Sequence, residues 1–243
     1  MKMKVKIGRL LGMKVYLHST FAILVAYYLW DLSWESLMFG AAVVASLMLH
    51  ELAHAGVARM FGNVPIRITF HGLGACVRLR RELGNTWRDA LIAFAGPASN
   101  LLAGAVAFYC ARLFRGDLYS IRHVLCCIAV VNGVIAGLNL LPAYPLDGGR
   151  LFRWLVSCLM KERHATFAVL CAGVVCSVAY VALGCGMAFD DGSIMDLCVQ
   201  LPVAILVVVA CWIEFDMTRK GTGVACSGKF VTVSKGGKLY ETK

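Results

Sequence analysis

Apolar runs of about the length of a membrane-crossing helix follow one another along this chain, separated by short polar breaks. Six of them fall at roughly residues 15–30, 37–58, 90–111, 123–146, 165–188 and 197–213. A helix rises 1.5 Å per residue, so about 20 residues cross the ~30 Å hydrocarbon core of a bilayer, and the first and last runs are short by that measure. The first run has no small-residue cleavage site and leads directly into further runs, so it is expected to be retained rather than removed as a signal peptide. Between the second and third runs the period changes. Ile66-Arg67-Ile68-Thr69-Phe70 alternates with period two, Gly72 and Gly74 punctuate, and Val77-Arg78-Leu79-Arg80 alternates again. This predicts a β-hairpin with one apolar face, the alternative being a surface loop with two weak strands. The expected fold class is therefore an all-α polytopic membrane protein, with about six transmembrane helices and a small β-hairpin between helices two and three. Residues 1–218 form the membrane domain, and 219–243 form a short basic cytoplasmic tail, too short to make a second core.

Composition agrees, with 60% of the 243 residues hydrophobic and only 16% charged. The net charge of +10 would suit a nucleic-acid partner, but its distribution reports topology instead. Of the 24 Lys and Arg, only Arg112, Arg115 and Arg122 fall in one set of alternate loops. That set is acidic, with Asp31, Glu35, Asp190, Asp191 and Asp196. Such a bias places both termini in the cytoplasm. No nucleic-acid partner is expected. The eleven cysteines are scattered through the apolar runs with no CxxC pair, which suits small buried hydrophobes. No chemistry is assigned to them, although Cys185 and Cys198 flank one outer loop.

Against this background one segment carries chemistry. His50-Glu51-Leu52-Ala53-His54 lies in a run, Leu37 to Ala58, in which Glu51 is the only charged residue. Histidines at i and i+4 share a helix face about one turn apart, so both imidazoles can reach one metal ion with the glutamate beside it as candidate general base. A carboxylate at that depth is costly and usually marks function. A chance HExxH, with both histidines hydrogen-bonded inside a bundle, is the alternative.

A catalytic zinc needs a third protein ligand and an open position. Apart from Glu51, Asp147 is the acidic residue placed at the edge of an apolar run away from the loop ends. It belongs to Asn139-Leu140-Leu141-Pro142-Ala143-Tyr144-Pro145-Leu146-Asp147-Gly148-Gly149-Arg150, whose prolines and glycines must break the fourth helix. Broken backbone at membrane depth is tolerated where it lines a polar site. A helix-end Asp in a turn before Arg150 is the plainer reading. With the inferred topology, spans two and four run in the same direction, which puts His50, His54 and Asp147 at similar depth toward the cytoplasm. His18 suits either a gating residue or a satisfied intramembrane histidine, while His71, His123 and His164 fall at a hairpin tip and span ends. Ala95-Gly96-Pro97-Ala98-Ser99-Asn100 reads mainly as a close-packing motif with one amide for a bond across helices. Asn132 and Asn139, seven apart, are nearly on one face of span four.

Taken in order, His50 to His54, Ala95 to Asn100 and Asn139 to Arg150 resemble the site-2 proteases, a family of intramembrane zinc metalloproteases, over a core of about residues 37–155. Val15-Tyr16-Leu17-His18, the glycine-containing hairpin and Trp212-Ile213-Glu214-Phe215 resemble the stage IV sporulation protein FB branch of that family. The resemblance implies one Zn2+ per chain held by His50, His54 and Asp147, with Glu51 as catalytic base and Asn139 positioning an extended substrate backbone. It implies a substrate embedded in or associated with the lipid bilayer of a bacterial-type cell membrane, cut near the cytoplasmic face. Activation of a transcription or sigma factor precursor, and membrane regulatory proteins as partners, follow from the sporulation branch. Relatives of that branch often carry a CBS domain. None is seen up to Lys243, nor a PDZ insertion, so nucleotide regulation through such a domain is not expected. Two rivals remain open. A metal-ion or proton transporter would use the same His/Asp cluster, although paired repeats and polar residues along several spans are lacking. An inactive scaffold would have no use for a complete HExxH with Asp147.

Overall fold

A computed structural model describes residues 4–22, 25–26, 33–71, 74–80, 83, 85–114, 119–191, 204–205 and 207–216. The chain divides into two compact units, Met1–Arg81 with Phe94–Leu138, and Glu82–Ala93 with Asn139–Lys243.

The first unit opens with strands rather than a helix. Lys4–Leu10 (β1) and Met13–His18 (β2) pair antiparallel, closed by Leu11 and Gly12 at φ +48° and +80°. Positive φ at both residues of a two-residue loop is the geometry that matches strand twist, and Gly12 adopts it without penalty. Pro65–His71 (β3) pairs parallel to β2, and Gly74–Leu79 (β4) pairs antiparallel to β3, giving a sheet in the order β1-β2-β3-β4. Met13, Ile68, Phe70, Val77 and Leu79 are its buried apolar side chains.

This corrects the all-α expectation. The run beginning at residue 15 starts as strand β2, because Val15, Tyr16 and Leu17 find partners on both sides, in β1 and in β3. The expected hairpin at 66–80 corresponds to β3 and β4, which form half of a larger sheet.

The helix Trp34–Met60 (α1) is capped by the Ser33 side chain, which accepts from Ser36 N, and it packs against β3 and β4. Trp87–Leu113 (α2) contains Pro97, and Tyr119–Leu140 (α3) follows. In the second unit Asp147–Ser157 (α4) packs on Glu162–Asp191 (α5), and residues 207–216 are helical. Four stretches are long and apolar enough to cross a membrane among the described residues: Trp34–Met60, Trp87–Leu113, Ile121–Leu140 and His164–Ala182. Their outward side chains, among them Leu102, Tyr109, Val134 and Val175, are exposed, as suits a hydrocarbon solvent. The expected first and last spans, the outer loop between Cys185 and Cys198, and the tail 219–243 fall wholly or partly outside the described residues.

The segment after α3 behaves as its prolines require. The helix stops at Leu140, and turns held by Ala143 N to Leu141 O (2.8 Å) and Leu146 N to Ala143 O (3.0 Å) carry the chain into α4. A Cβ on Gly149 would lie 2.7 Å from the backbone of Ala143, and one on Gly148 would strike the carbonyls of Leu140 and Leu141, so this doubling back demands glycine at both positions. Ala143 and Tyr144 are buried with Val169 and Cys211. Tyr144 N donates to the Cys211 sulfur at 3.2 Å, and the Cys211 thiol lies 3.5 Å from Tyr144 O. Arg153 and Glu214 form a buried ion pair at 3.2 Å. These contacts fasten the helical segment 207–216 to the loop that delivers Asp147.

Candidate metal centre

Three of the expected ligands come together. His50, His54 and Asp147 each offer one ligand atom, all within 4.8 Å of one another. His50 and His54 sit one turn apart on α1 with ring centroids 4.6 Å apart. Asp147 is the first residue of α4, where the backbone N–H groups at the helix start favour a carboxylate. His50 is 3% exposed and Glu51 7%, so neither sits where bulk water solvates it.

The residues present fit a zinc ion. The donor set is two imidazoles and one carboxylate, as in catalytic zinc sites that keep a fourth position open. Gly96 of α2 supplies a second observation. A Cβ there would fall 2.6 Å from His50 Nε2, and closer still to His54 Nε2, so the Nε2 atoms of both histidines are turned to the same space. His50 Nδ1 is bonded to Asn100 Oδ1 at 2.6 Å. Because the amide oxygen can only accept, Nδ1 must carry a proton, and in the neutral ring that leaves on Nε2 the lone pair a metal needs.

Glu51 is held differently. Its Oε2 accepts a 2.6 Å hydrogen bond from the backbone N–H of Val77, in edge strand β4. Asn139 is half-buried near the end of α3. His18 Nδ1 bonds Thr20 Oγ1 at 2.9 Å, and its ring lies 5.1 Å from that of His71, so it is engaged in the sheet.

Three residues at this site were not assigned to it from sequence. Gly96 and Asn100 belonged to a motif read as packing, and Val77 to a strand face. The spacing of Gly96 and Asn100, four apart and so on one face of a helix, was the available signal.

Comparison with known proteins agrees with this geometry. The model of peptidase family M50 matches residues 38–118 and 116–182. The Rip3 protein of Mycobacterium tuberculosis is 31% identical over 209 residues, covering 76% of this chain and 52% of Rip3. The chain belongs to peptidase family M50. Another relative, the zinc metalloprotease MJ0392 of Methanocaldococcus jannaschii, is 24% identical over 193 residues, covering 77% of this chain and 55% of that protein. The chain thus spans about half the length of both relatives. In fold, this M50 chain is similar to a site-2 protease from Methanocaldococcus jannaschii, with a TM-score of 0.62 at 20% identity, over 96% of this chain and all of that one. HELAH in α1 and Gly96 and Asn100 in α2 lie within the M50 match, as does Asp147 at the head of α4.

Proposed function

We propose that this chain is a zinc metalloendopeptidase that hydrolyses a peptide bond in a membrane-embedded or membrane-associated protein, near the cytoplasmic face. The observation that carries the reading is the convergence of His50, His54 and Asp147 beside Glu51 in a chain of family M50. His50 and His54 would hold the ion through Nε2 and Asp147 through its carboxylate. Zinc held there supplies Lewis acidity, polarising a carbonyl oxygen and lowering the pKa of water. Glu51 takes a proton from the attacking water as its oxygen bonds to the carbonyl carbon, then gives that proton to the amine nitrogen as the C–N bond breaks. The Val77 N–H holds the carboxylate through Oε2 while it does so.

A helical substrate hides its peptide groups, so it must be held extended. Strand β4 is an edge of the sheet, and the alternation of backbone groups puts those of Ala75 on the same edge as Val77 N. An extended segment added there would run past Glu51, in the manner of strand addition. Asn139 orients that segment in this reading. The positive-inside bias supports cytoplasmic termini in a bacterial-type cell membrane. The sporulation-branch resemblance supports a transcription or sigma factor precursor as substrate, with membrane regulatory proteins.

Zinc analysis of purified variants tests the ligand set. Asp147→Ala should lose both zinc and cleavage of a single-span substrate, and Glu35→Ala, at the far end of α1, should lose neither. Stoichiometric zinc in the Asp147 variant would send the search for a third ligand to His18.

A further inference from the structure

The four buried side chains Ser46, His50, Asn100 and Asn132 form one connected set of hydrogen bonds across α1, α2 and α3. Its direction can be worked out from groups that have no choice of role. A backbone carbonyl only accepts. The Asn132 amide nitrogen lies 2.9 Å from Ile128 O and 2.9 Å from Ser46 Oγ, which uses both of its hydrogens and turns Oδ1 away. That oxygen receives Asn100 Nδ2 at 2.7 Å. Asn100 Nδ2 gives its other hydrogen to Ser46 O at 3.2 Å. Asn100 must therefore present Oδ1 to His50, 2.6 Å away. Reversing either amide would set oxygen against a carbonyl oxygen in a buried place, where an unsatisfied acceptor is expensive.

We infer that Asn132 and Asn100 are positioning residues that transmit the acceptor character of the Ile128 and Ser46 carbonyls to His50, fixing its proton on Nδ1 and its lone pair on Nε2. Neither amide touches substrate or the proposed metal. The inference rests on the reading of His50 as a metal ligand, and extends the site from three ligands to a chain reaching across α3. Two backbone carbonyls determine the outcome, while the Ser46 hydroxyl can rotate to suit either arrangement. The members of the chain are therefore unequal. Asn100, which touches His50, matters most. Asn132 supplies one of the two acceptors that orient Asn100, and the Ser46 hydroxyl matters least.

The test uses two readouts on the full-length protein in detergent: the 15N signals of its histidines without metal, and zinc affinity by chelator competition. Wild type should show a His50 locked as the Nδ1–H tautomer. Asn100→Leu should give mixed tautomers and weaken zinc binding by about 10- to 100-fold, as loss of a partner behind a metal-bound histidine does elsewhere. Asn132→Leu should weaken it by about fivefold, the worth of one neutral hydrogen bond. Asn132 and Ser46 border a cavity of about 560 Å3 walled by Ala41, Ala45, Ala103 and Ile128, so the leucine has apolar space to enter. Ser46→Ala should stay within about twofold of wild type, since both backbone carbonyls remain. A locked His50 and unchanged zinc affinity in Asn100→Leu would overturn the inference. So would variants that lose thermal stability while the His50 signature stays fixed, because the amides would then be structural only. Wild type without zinc affinity would instead sink the metal-centre reading, and the metal-free 15N signature would still decide the relay.

Discussion

The backbone N–H of Val77 donates to Glu51 Oε2 at 2.6 Å, tying the edge strand of the sheet to the helix that carries both histidines. One oxygen of the carboxylate is thereby held by the sheet. Strand β4 thus supplies a backbone donor to a carboxylate that is buried on α1.

Removing that donor should slow cleavage without removing metal. Val77→Pro deletes the N–H at a sheet edge, where proline is tolerated. Cleavage should fall by about 10- to 100-fold, the worth of a hydrogen bond to a charged group, while zinc stays at one per chain. Val77→Ile should behave as wild type. Equal rates for the proline variant would show that Glu51 does not depend on β4.

Gly96 should tolerate no side chain. A methyl group there occupies the space facing both Nε2 atoms, so Gly96→Ala is expected to abolish stoichiometric zinc binding and cleavage. Gly133→Ala and Gly137→Ala, with open space around them, should leave zinc unchanged and raise helix stability by up to about 1 kcal/mol. Zinc content by mass spectrometry with thermal unfolding in detergent separates these outcomes. Normal zinc in Gly96→Ala would mean that the rings move aside.

Much of this site was legible in the sequence because its chemistry is local. His50 and His54 announce themselves by helical spacing, and the prolines and glycines from Pro142 to Gly149 require the break seen after Leu140. The period-two pattern at 66–80 marked strands. The partner strands at the N-terminus were harder to see. Lys4, Lys6, Arg9 and Lys14 were read for topology, although they alternate with Val5, Ile7 and Val15 in a strand pattern. The spacing of Gly96 and Asn100 puts them on one helix face, but that this face and Val77 meet α1 depends on which helix or strand arrives there. The same holds for Cys211 and Glu214, whose partners Tyr144 and Arg153 lie 67 and 61 residues away.

Glu214 should matter for stability rather than chemistry. Glu214→Ala leaves the Arg153 guanidinium buried without its carboxylate and should cost about 3–5 kcal/mol. The loop from Leu141 to Leu146 should then loosen, read as faster hydrogen exchange at Tyr144. A variant as stable as wild type would show that water or lipid headgroups replace the carboxylate.

The central claim is that Glu51 moves the proton in a zinc-dependent peptide hydrolysis, and the most direct measurement pairs zinc content with product mapping in proteoliposomes. Wild type with one zinc per chain should cut a single-span substrate near the cytoplasmic boundary, its product termini identified by mass spectrometry. Cleavage should be faster when Gly or Pro near the scissile bond weakens the substrate helix, because these residues cost about 1 and 3 kcal/mol in a helix interior. Glu51→Gln should keep its zinc and lose about 10²- to 10⁴-fold or more in rate. Substantial cleavage by the glutamine variant, or zinc flux across the vesicle membrane with no cleavage by wild type, would contradict the account.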